Sequence, residues 1–316
     1  MSPKKSDKGG AVAEAEAPVG GLPGLVRRNI RWLVFLGVFV GASAFGWKLL
    51  WESVRDQVVG AAEFHIDPEQ ITMTPLPAWI HTDLKAEVLR DGSLDEGLSL
   101  LDPELTVRVA QAFSQHSWVA KVTRASKQAP TGVTVDLVYR RPVAMVEVRG
   151  QGLFPVDADG TLLPTADFSP TDALRYVRIA EIGTMPIGPV GTRWGDTHVT
   201  GAAKIAAALV DDWEKMKLYK IVPAARQVEA NGVEADTYEL YTVERTRIDW
   251  GRPPGAETNT EAKAAQKIER LRQYAEQHGG TLEDPSGPQR LDVRSASSLT
   301  VAPRPAIQSL PAAPGQ

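Results

Sequence analysis

The stretch that decides the fold runs from residue 116 to 164 and reads HSWVAKVTRASKQAPTGVTVDLVYRRPVAMVEVRGQGLFPVDADGTLLP. Apolar and polar residues alternate over 133–140, which is the period of a strand with one buried face. The Pro-Thr-Gly break at 130–132 is turn chemistry, so Trp118–Lys127 and the alternating run are predicted to form a hairpin. A second pair of strands is predicted on either side of the Gly-Gln-Gly turn at 150–152.

The composition excludes several classes of site. The chain has 316 residues and no cysteine, which excludes disulfides, thiolate metal sites and a cysteine nucleophile. Its five histidines are scattered without the spacing of metal ligands. The net charge of -4 carries no strong basic signature, which disfavours nucleic-acid binding. We therefore predict no cofactor, no metal, no nucleic acid and no small-molecule substrate.

One segment near the N-terminus has the length and composition of a membrane helix. Between Arg31 and Lys48 the sequence WLVFLGVFVGASAFGW is free of charge, and Leu49–Trp51 extend the apolar run. A run of about 20 apolar residues spans a bilayer core, and Trp32 and Trp47 lie where interfacial aromatic residues lie. We predict a membrane anchor with Arg31, Trp32, Trp47 and Lys48 at its ends.

The flanks of this segment predict its orientation. The basic residues before it are Lys4, Lys5, Lys8, Arg27, Arg28 and Arg31, and the acidic ones are Asp7, Glu14 and Glu16. The positive-inside rule then places the N-terminus in the cytoplasm and the bulk of the chain outside. A cleaved signal peptide remains an alternative, because Ala42-Ser43-Ala44 matches the small-x-small cleavage pattern.

The region after the anchor predicts a small α+β layer. Glu63–Met73 is strand-like, and two helices are predicted to begin near Thr82 and near Asp102, which serve as their N-caps. The hairpin of the opening stretch then completes a β-α-α-β-β order. A three-stranded sheet with two helices on one face is a stable arrangement for about 80 residues.

The region after Pro164 predicts a second mixed layer. The predicted helices are 200–216 and 260–278, and the predicted strands are 174–182, 226–229, 237–243, 246–251 and 290–295. The basic residues Lys263, Lys267 and Arg270 alternate with glutamates along the later helix, and we interpret them as a solvated face.

One motif resembles catalytic chemistry. Asp157–Leu162 reads DADGTL, and a DxDGTL loop is the nucleophile loop of haloacid-dehalogenase-type phosphatases. That chemistry needs a long buried strand in front of the loop, whereas the preceding Gly-Leu-Phe-Pro is short and interrupted by proline. We interpret the motif as a hairpin turn in which Asp and Gly supply the turn geometry. The glycine-rich Gly188–Gly195 is likewise interpreted as a turn, since it lacks the ending of a phosphate-binding loop.

Five short motifs occur along the chain, and their order and spacing together are specific for one protein family. They are HSWV at 116–119, RPVA at 141–144, VDADG at 156–160 with Leu162, IDWG at 248–251 ahead of the 263–273 helix, and LDVR at 291–294. This set resembles the FtsQ/DivIB family of bacterial cell-division proteins. The resemblance covers about residues 62–298 together with the N-terminal anchor.

The resemblance implies an α+β chain with five parts. These are a disordered cytoplasmic tail at 1–28, a transmembrane helix at 29–51, a POTRA domain (β-α-α-β-β) at 60–142, a mixed FtsQ-type β-domain with two helices at 143–296, and a disordered tail at 297–316. It also implies a non-catalytic scaffold in the cell inner membrane at the division septum. The implied partners are FtsB-like and FtsL-like division proteins and the lipid bilayer.

The resemblance further implies a partner-binding strand near the end of the folded region. The 290–295 strand runs straight into the tail, so it is predicted to be a sheet edge that accepts a strand from another chain. The implied partner-binding residues are Leu291, Asp292, Val293, Arg294 and Ser295, with the arginine pairing an acidic partner residue. An ordinary terminal strand with a solvated arginine remains the alternative.

Two other functions stay open from the sequence. The first is a POTRA-bearing accessory protein for protein transport or outer-membrane assembly, although no series of lipid-facing strands follows the second region. The second is a membrane-anchored hydrolase, which would require Asp157 to act as a nucleophile.

Overall fold

The computed structural model of the chain describes residues 23–59, 65–94, 98–129, 132–224, 227–228 and 234–303. The chain forms two compact units, Met1–Ala62 and Glu63–Gln316. The tail predicted at 1–28 lies mostly outside the described residues. A helix begins at Pro23, inside the range predicted for the tail.

The first unit contains one long helix, α1, which spans Pro23–Val59. Within it, Val34–Glu52 is long and apolar enough to cross a membrane, with a mean hydropathy of 1.6. The side chains of this span, including Trp47 and Lys48, are exposed to the surroundings along its whole length. A helix that is apolar on all sides over this length has the composition of a membrane span. The segment predicted from the sequence therefore forms a single continuous helix that extends beyond both predicted ends.

The second unit contains a small three-stranded sheet with the order β1-β3-β2. Its strands are β1 (Ile71–Met73), β2 (Val119–Gln128) and β3 (Gly132–Tyr139). The predicted hairpin is confirmed, since β2 and β3 pair antiparallel with Ala125 opposite Val135. Strand β1 pairs parallel with β3 and is much shorter than predicted, because Pro68 begins a short 3-10 helix in front of it.

Two helices cover this sheet, as the apolar spacing predicts. They are α2 (Leu84–Asp91) and α3 (Leu105–Gln115). Asp83, and not Thr82, is the N-cap of α2, and its carboxylate accepts a hydrogen bond from Ala86 N at 3.1 Å. The fully buried Phe113 and Trp118 lie in one core with the sheet residues Val133 and Val135.

The larger sheet has eight strands in the order β13-β12-β11-β10-β7-β6-β4-β5. The strands are β4 (Ala144–Val148), β5 (Gly152–Val156), β6 (Val177–Ile182), β7 (Leu218–Pro223), β10 (Tyr238–Thr242), β11 (Arg247–Gly251), β12 (Gln289–Asp292) and β13 (Thr300–Pro303). A separate two-stranded ribbon joins β8 (Gln227–Val228) and β9 (Glu234–Ala235). The sequence predicted neither β7 nor β13.

Helices cover one face of the large sheet. A short helix, α4 (Pro170–Ala173), precedes β6, and the longer helices are α5 (Thr197–Ala208) and α6 (Ala264–Gln277). The predicted helix 200–216 is therefore wrong at its C-terminal half, where the chain makes turns before β7. Gly201 lets the sheet approach α5 closely, since a Cβ there would lie 2.0 Å from the Tyr238 hydroxyl oxygen.

Polar contacts tie the two sheets together inside the second unit. The Asp167 carboxylate, which follows the β4-β5 hairpin, accepts hydrogen bonds from the Thr82 backbone N–H at 2.7 Å and from Trp118 Nε1 at 2.7 Å. Arg140, which follows β3, donates through Nη1 to Asp157 Oδ2 at 2.7 Å. Because Leu163 also belongs to the core of the small sheet, the two layers share buried contacts as well as charges.

Candidate functional site

The predicted partner-binding strand lies near one end of the large sheet, but it is not the edge. Strand β12 pairs parallel with β11 on one side and antiparallel with β13 on the other, with Leu291 opposite Val301. The prediction that 290–295 forms the sheet edge is therefore wrong. Among the described strands, the end of the sheet is β13, which comes from the segment predicted as a disordered tail.

Of the five predicted partner-binding residues, two are buried in the core and three lie at the surface. Leu291 and Val293 are fully buried and belong to the core of the large sheet. A partner cannot contact their side chains without opening that core. Asp292, Arg294 and Ser295 remain at the surface, so the structure brings only these three to a place where another chain can meet them.

Arg294 lies two residues after the end of β12 and already has an acidic partner in Asp292, the last residue of that strand. Its Nε donates to Asp292 Oδ1 at 2.9 Å and its Nη2 donates to Oδ2 at 2.6 Å, a two-pronged contact. Burial alone would raise the pKa of Asp292, but the hydrogen bonds and the charge of Arg294 lower it overall. The two side chains keep 36% and 31% of their surface exposed, so the ion pair is accessible from outside.

The chain is held firmly where it leaves β12. Arg270 of α6 donates through Nη1 to the Ser295 carbonyl oxygen and through Nη2 to the Ala296 carbonyl oxygen at 2.7 Å. Ala262 N donates to the Arg294 carbonyl oxygen at 2.9 Å. These contacts direct the segment after Ser295 back along the sheet, and β13 follows.

A buried ion pair lies beneath this turn. Lys267 of α6 is fully buried, and its Nζ lies 2.6 Å from Glu261 Oε1 and 5.0 Å from the centroid of the Trp250 ring. Burial lowers the pKa of Lys267, although Glu261 acts in the opposite direction. The interpretation of this lysine as part of a solvated face is wrong. Its spacing of four residues from the buried Leu271 was the signal that places it on the inward face.

Strand β13 was missed for an identifiable reason. The segment after Ser295 is rich in Ser, Ala and Pro, which suggested a disordered tail. However, Leu299 and Val301 alternate with polar residues, and Leu299 packs against the core. Two alternating apolar residues are the weak signal from which this strand could have been found.

The DADG motif forms a tight turn. Gly160 has a φ of +72°, and Asp157 Oδ1 accepts hydrogen bonds from Asp159 N at 2.9 Å and Thr161 N at 2.8 Å. The other carboxylate oxygen of Asp157 pairs with Arg140. The turn interpretation is confirmed, and both oxygens of the candidate nucleophile are engaged in holding the turn and the neighbouring strand.

The predicted anchor residues lie on α1, with Trp32, Trp47 and Lys48 exposed. Lys48 forms an i,i+4 ion pair with Glu52 at 4.0 Å, at the end of the apolar span. Arg31 also lies on this helix, but its side chain falls outside the described residues. Over Val34–Glu52 the helix has the length and composition that can cross a membrane.

Among the residues that the structure describes, no group of three or more His, Asp or Glu side chains has the arrangement of a metal site. No model of a known protein family and no curated protein matches the chain.

Proposed function

We propose that this protein is a non-catalytic scaffold of the bacterial division machinery, of the FtsQ/DivIB type. It is anchored in the inner membrane by α1 and presents a POTRA domain (60–142) and a β-domain (143–296) outside the cytoplasm. In this role it recruits FtsB-like and FtsL-like partners at the division septum and so promotes septal wall synthesis. Its work is binding.

One observation supports this proposal above the others, and it is the end of the large sheet. Strand β13 pairs with β12 on one side only among the described residues, and Val301 is 46% exposed. Such an edge offers backbone N–H and C=O groups to an incoming strand. The partly exposed Asp292–Arg294 pair lies at the C-terminal end of the neighbouring strand β12. The partner strand extends the sheet beyond β13, and this ion pair provides charge recognition beside it.

Co-purification tests the proposal. The full chain, in detergent, is expected to retain FtsB-like and FtsL-like partners, whereas Arg294→Glu loses them. The variant puts a third carboxylate beside Asp292 and Glu261, so it repels an acidic partner residue instead of attracting it. Near-UV circular dichroism checks that the variant is folded.

The matched control is Arg108→Glu, which reverses a half-exposed arginine of α3 that is paired with Asp102 at 3.2 Å. It is expected to bind partners as the wild type does. Undiminished binding by a folded Arg294→Glu variant would remove the arginine from the proposed interface. A fluorescent fusion that stays evenly distributed in the membrane throughout the cell cycle would count against the division role itself.

A further inference from the structure

A second surface lies on the open face of the large sheet, opposite α5. Val177 and Ile179 of β6 point into the core beneath the helices, so Arg178 between them points to the open face. Lys220 of β7 lies directly opposite Arg178 in the parallel pairing of the two strands. Like charges directly opposite each other on neighbouring strands repel and destabilise a sheet. The pair therefore needs a compensating group.

The carboxylates of the described residues compensate the charges of Arg178 and Lys220 only at longer distances. Arg178 Nη1 lies 3.8 Å from Glu147 Oε2, and Lys220 Nζ lies 3.9 Å from Glu181 Oε1. Both distances exceed the range of about 2.7–3.2 Å for a direct N–H···O hydrogen bond. The glutamate side chains are 46% and 66% exposed, against 21% and 31% for the two cations. The carboxylates thus lie at the rim while the cations form the floor.

Aromatic rings hold the two cations in place. The guanidinium carbon of Arg178 lies 5.2 Å from the centroid of the Tyr219 ring, and Lys220 Nζ lies 5.1 Å from that of Tyr241. Arg178 Nη1 also donates a hydrogen bond to the Tyr219 hydroxyl oxygen at 3.1 Å. These contacts orient both side chains without neutralising their charges. The two positive groups consequently stay side by side, partly shielded from water.

Two β-bulges shape the same place. In β6, Ala180 and Glu181 together oppose Glu147, and Glu181 has a φ of +63°, which is strained for a residue with a side chain. In β7, Tyr219 is the extra residue opposite the Tyr241–Thr242 step. Bulges change the direction of side chains and are enriched beside functional sites. Here they bring Tyr219 to the same side as Lys220.

The result is a groove of about 850 Å³ lined by charged side chains and by the glycines of the β4-β5 turn. This volume lies in the range of about 300–1,000 Å³ that takes drug-sized or peptide ligands. A free phosphate ion is far smaller, and the glutamates at the rim would repel its double negative charge. A peptide that carries one carboxylate and one cationic side chain matches the two cations at the floor and the glutamates at the rim.

We propose that this groove binds an extended peptide segment of a partner protein, in which an Asp or Glu side chain is bracketed by Arg178 and Lys220 and a Lys or Arg side chain pairs with Glu147 or Glu181. The site lies on other strands than β12 and β13 and does not depend on the proposed division role. It provides a second point of attachment on the same sheet.

A peptide-display selection on the full chain in phosphatidylcholine nanodiscs tests this site. Random 12-residue peptides are selected on the wild type and then measured individually against Arg178→Gln/Lys220→Gln. We expect the selected peptides to combine acidic and basic residues and to bind the double variant at least about tenfold more weakly. The control Lys121→Gln/Arg124→Gln removes the same charge from exposed positions of β2 and is expected to leave binding unchanged.

The exchange variant Arg178→Lys/Lys220→Arg separates charge from folding, because it keeps both cations in the groove. It is expected to bind the selected peptides more tightly than Arg178→Gln/Lys220→Gln does, because both positive charges are retained. Selected peptides without acidic residues, or acidic ones that bind the double variant equally well, would overturn the proposal. Full competition by about 10 mM inorganic phosphate, at a total ionic strength held constant with NaCl, would also overturn the proposal, because it would show a simple anion site.

Discussion

At the scale of single residues, the side chains singled out in the sequence as candidates for catalysis or binding form contacts within the fold. Asp157 holds its own turn and Arg140. Arg294 is paired with Asp292, so in the proposed interface it would act as part of an ion pair and not as a lone positive charge. Lys267 is the opposite case, since a residue type that is almost never fully buried unless paired lies in the core with Glu261 as its partner.

The buried pair gives a prediction at this scale. Lys267→Met is expected to lower the free energy of unfolding by about 3 kcal/mol, because Glu261 loses its nearest cation in a nearly closed environment and keeps only the guanidinium of Arg252 at 4.0 Å. Lys267→Met/Glu261→Gln is expected to recover most of that loss, since the glutamine keeps an acceptor for Arg252 N. Urea denaturation followed by tryptophan fluorescence measures both.

Lys263→Met is the matched control, as Lys263 precedes the same helix and its side chain is 61% exposed. It is expected to change the free energy of unfolding by less than about 0.5 kcal/mol. A double variant as unstable as Lys267→Met alone would show that the ammonium acts through packing on Trp250 and not through the charge of Glu261.

At the scale of secondary-structure elements, β13 changes where the sheet ends and therefore where a strand can be added. It is a four-residue strand, and the partner residues expected on β12 lie one strand further in. Addition to β13 breaks no existing pairing, whereas addition to β12 would first displace β13. This difference is why the proposed interface includes the segment after Ser298.

Two truncations test the role of β13. Removing residues 300–316 deletes β13 but keeps Leu299 in the core, and it is expected to abolish co-purification with the FtsB-like partner. Removing residues 304–316 keeps β13 and is expected to leave binding intact. Stronger binding after the longer truncation would show instead that the partner pairs with β12 and that β13 competes with it.

At the scale of the whole second unit, one buried carboxylate makes several of the contacts between the two sheets. Asp167 is buried and accepts hydrogen bonds from His81, Thr82 and Trp118, all of which belong to the layer of the small sheet. Burial alone would raise the pKa of Asp167, but these hydrogen bonds lower it overall. The ionised carboxylate therefore stabilises the folded arrangement of both sheets.

Asp167→Asn is expected to lower the free energy of unfolding by about 2 kcal/mol at pH 7, because the hydrogen bonds lose their charge assistance. The folded pKa lies below the unfolded value of about 3.9. The stabilisation is thus complete above that value and is lost as the pH falls through the folded pKa. The difference between wild type and variant is expected to be constant above about pH 5 and to vanish at the acid end.

Urea denaturation at a series of pH values measures this difference in the full chain, with Trp118 as a fluorescent reporter beside the carboxylate. Asp159→Asn is the control, since Asp159 is exposed in the DADG turn and is expected to change little at any pH. A variant that differs from wild type equally at pH 3 and pH 7 would exclude the charge of Asp167 as the cause.

The sequence by itself determined the membrane-length helix, the β2-β3 and β4-β5 hairpins, and the β-α-α-β-β order of the first layer. Each of these depends on local periodicity, glycine turns or helix caps, which short stretches carry on their own. The sequence also located α6, because its buried apolar residues keep helical spacing although charged residues lie between them.

Only the tertiary structure decided the order of the eight strands, the covering of β12 by β13, the burial of Lys267 and the meeting of Arg178 with Lys220. Strand neighbours are set by long-range pairing, which leaves no mark at a fixed spacing in the sequence. A charged residue is buried when its partner lies close in space, and Glu261 becomes that partner only once the turn before α6 has folded against Gly251. For the same reason, no single motif predicts the free edge of β13 or the groove on the open face, because both form only when the sheet is assembled.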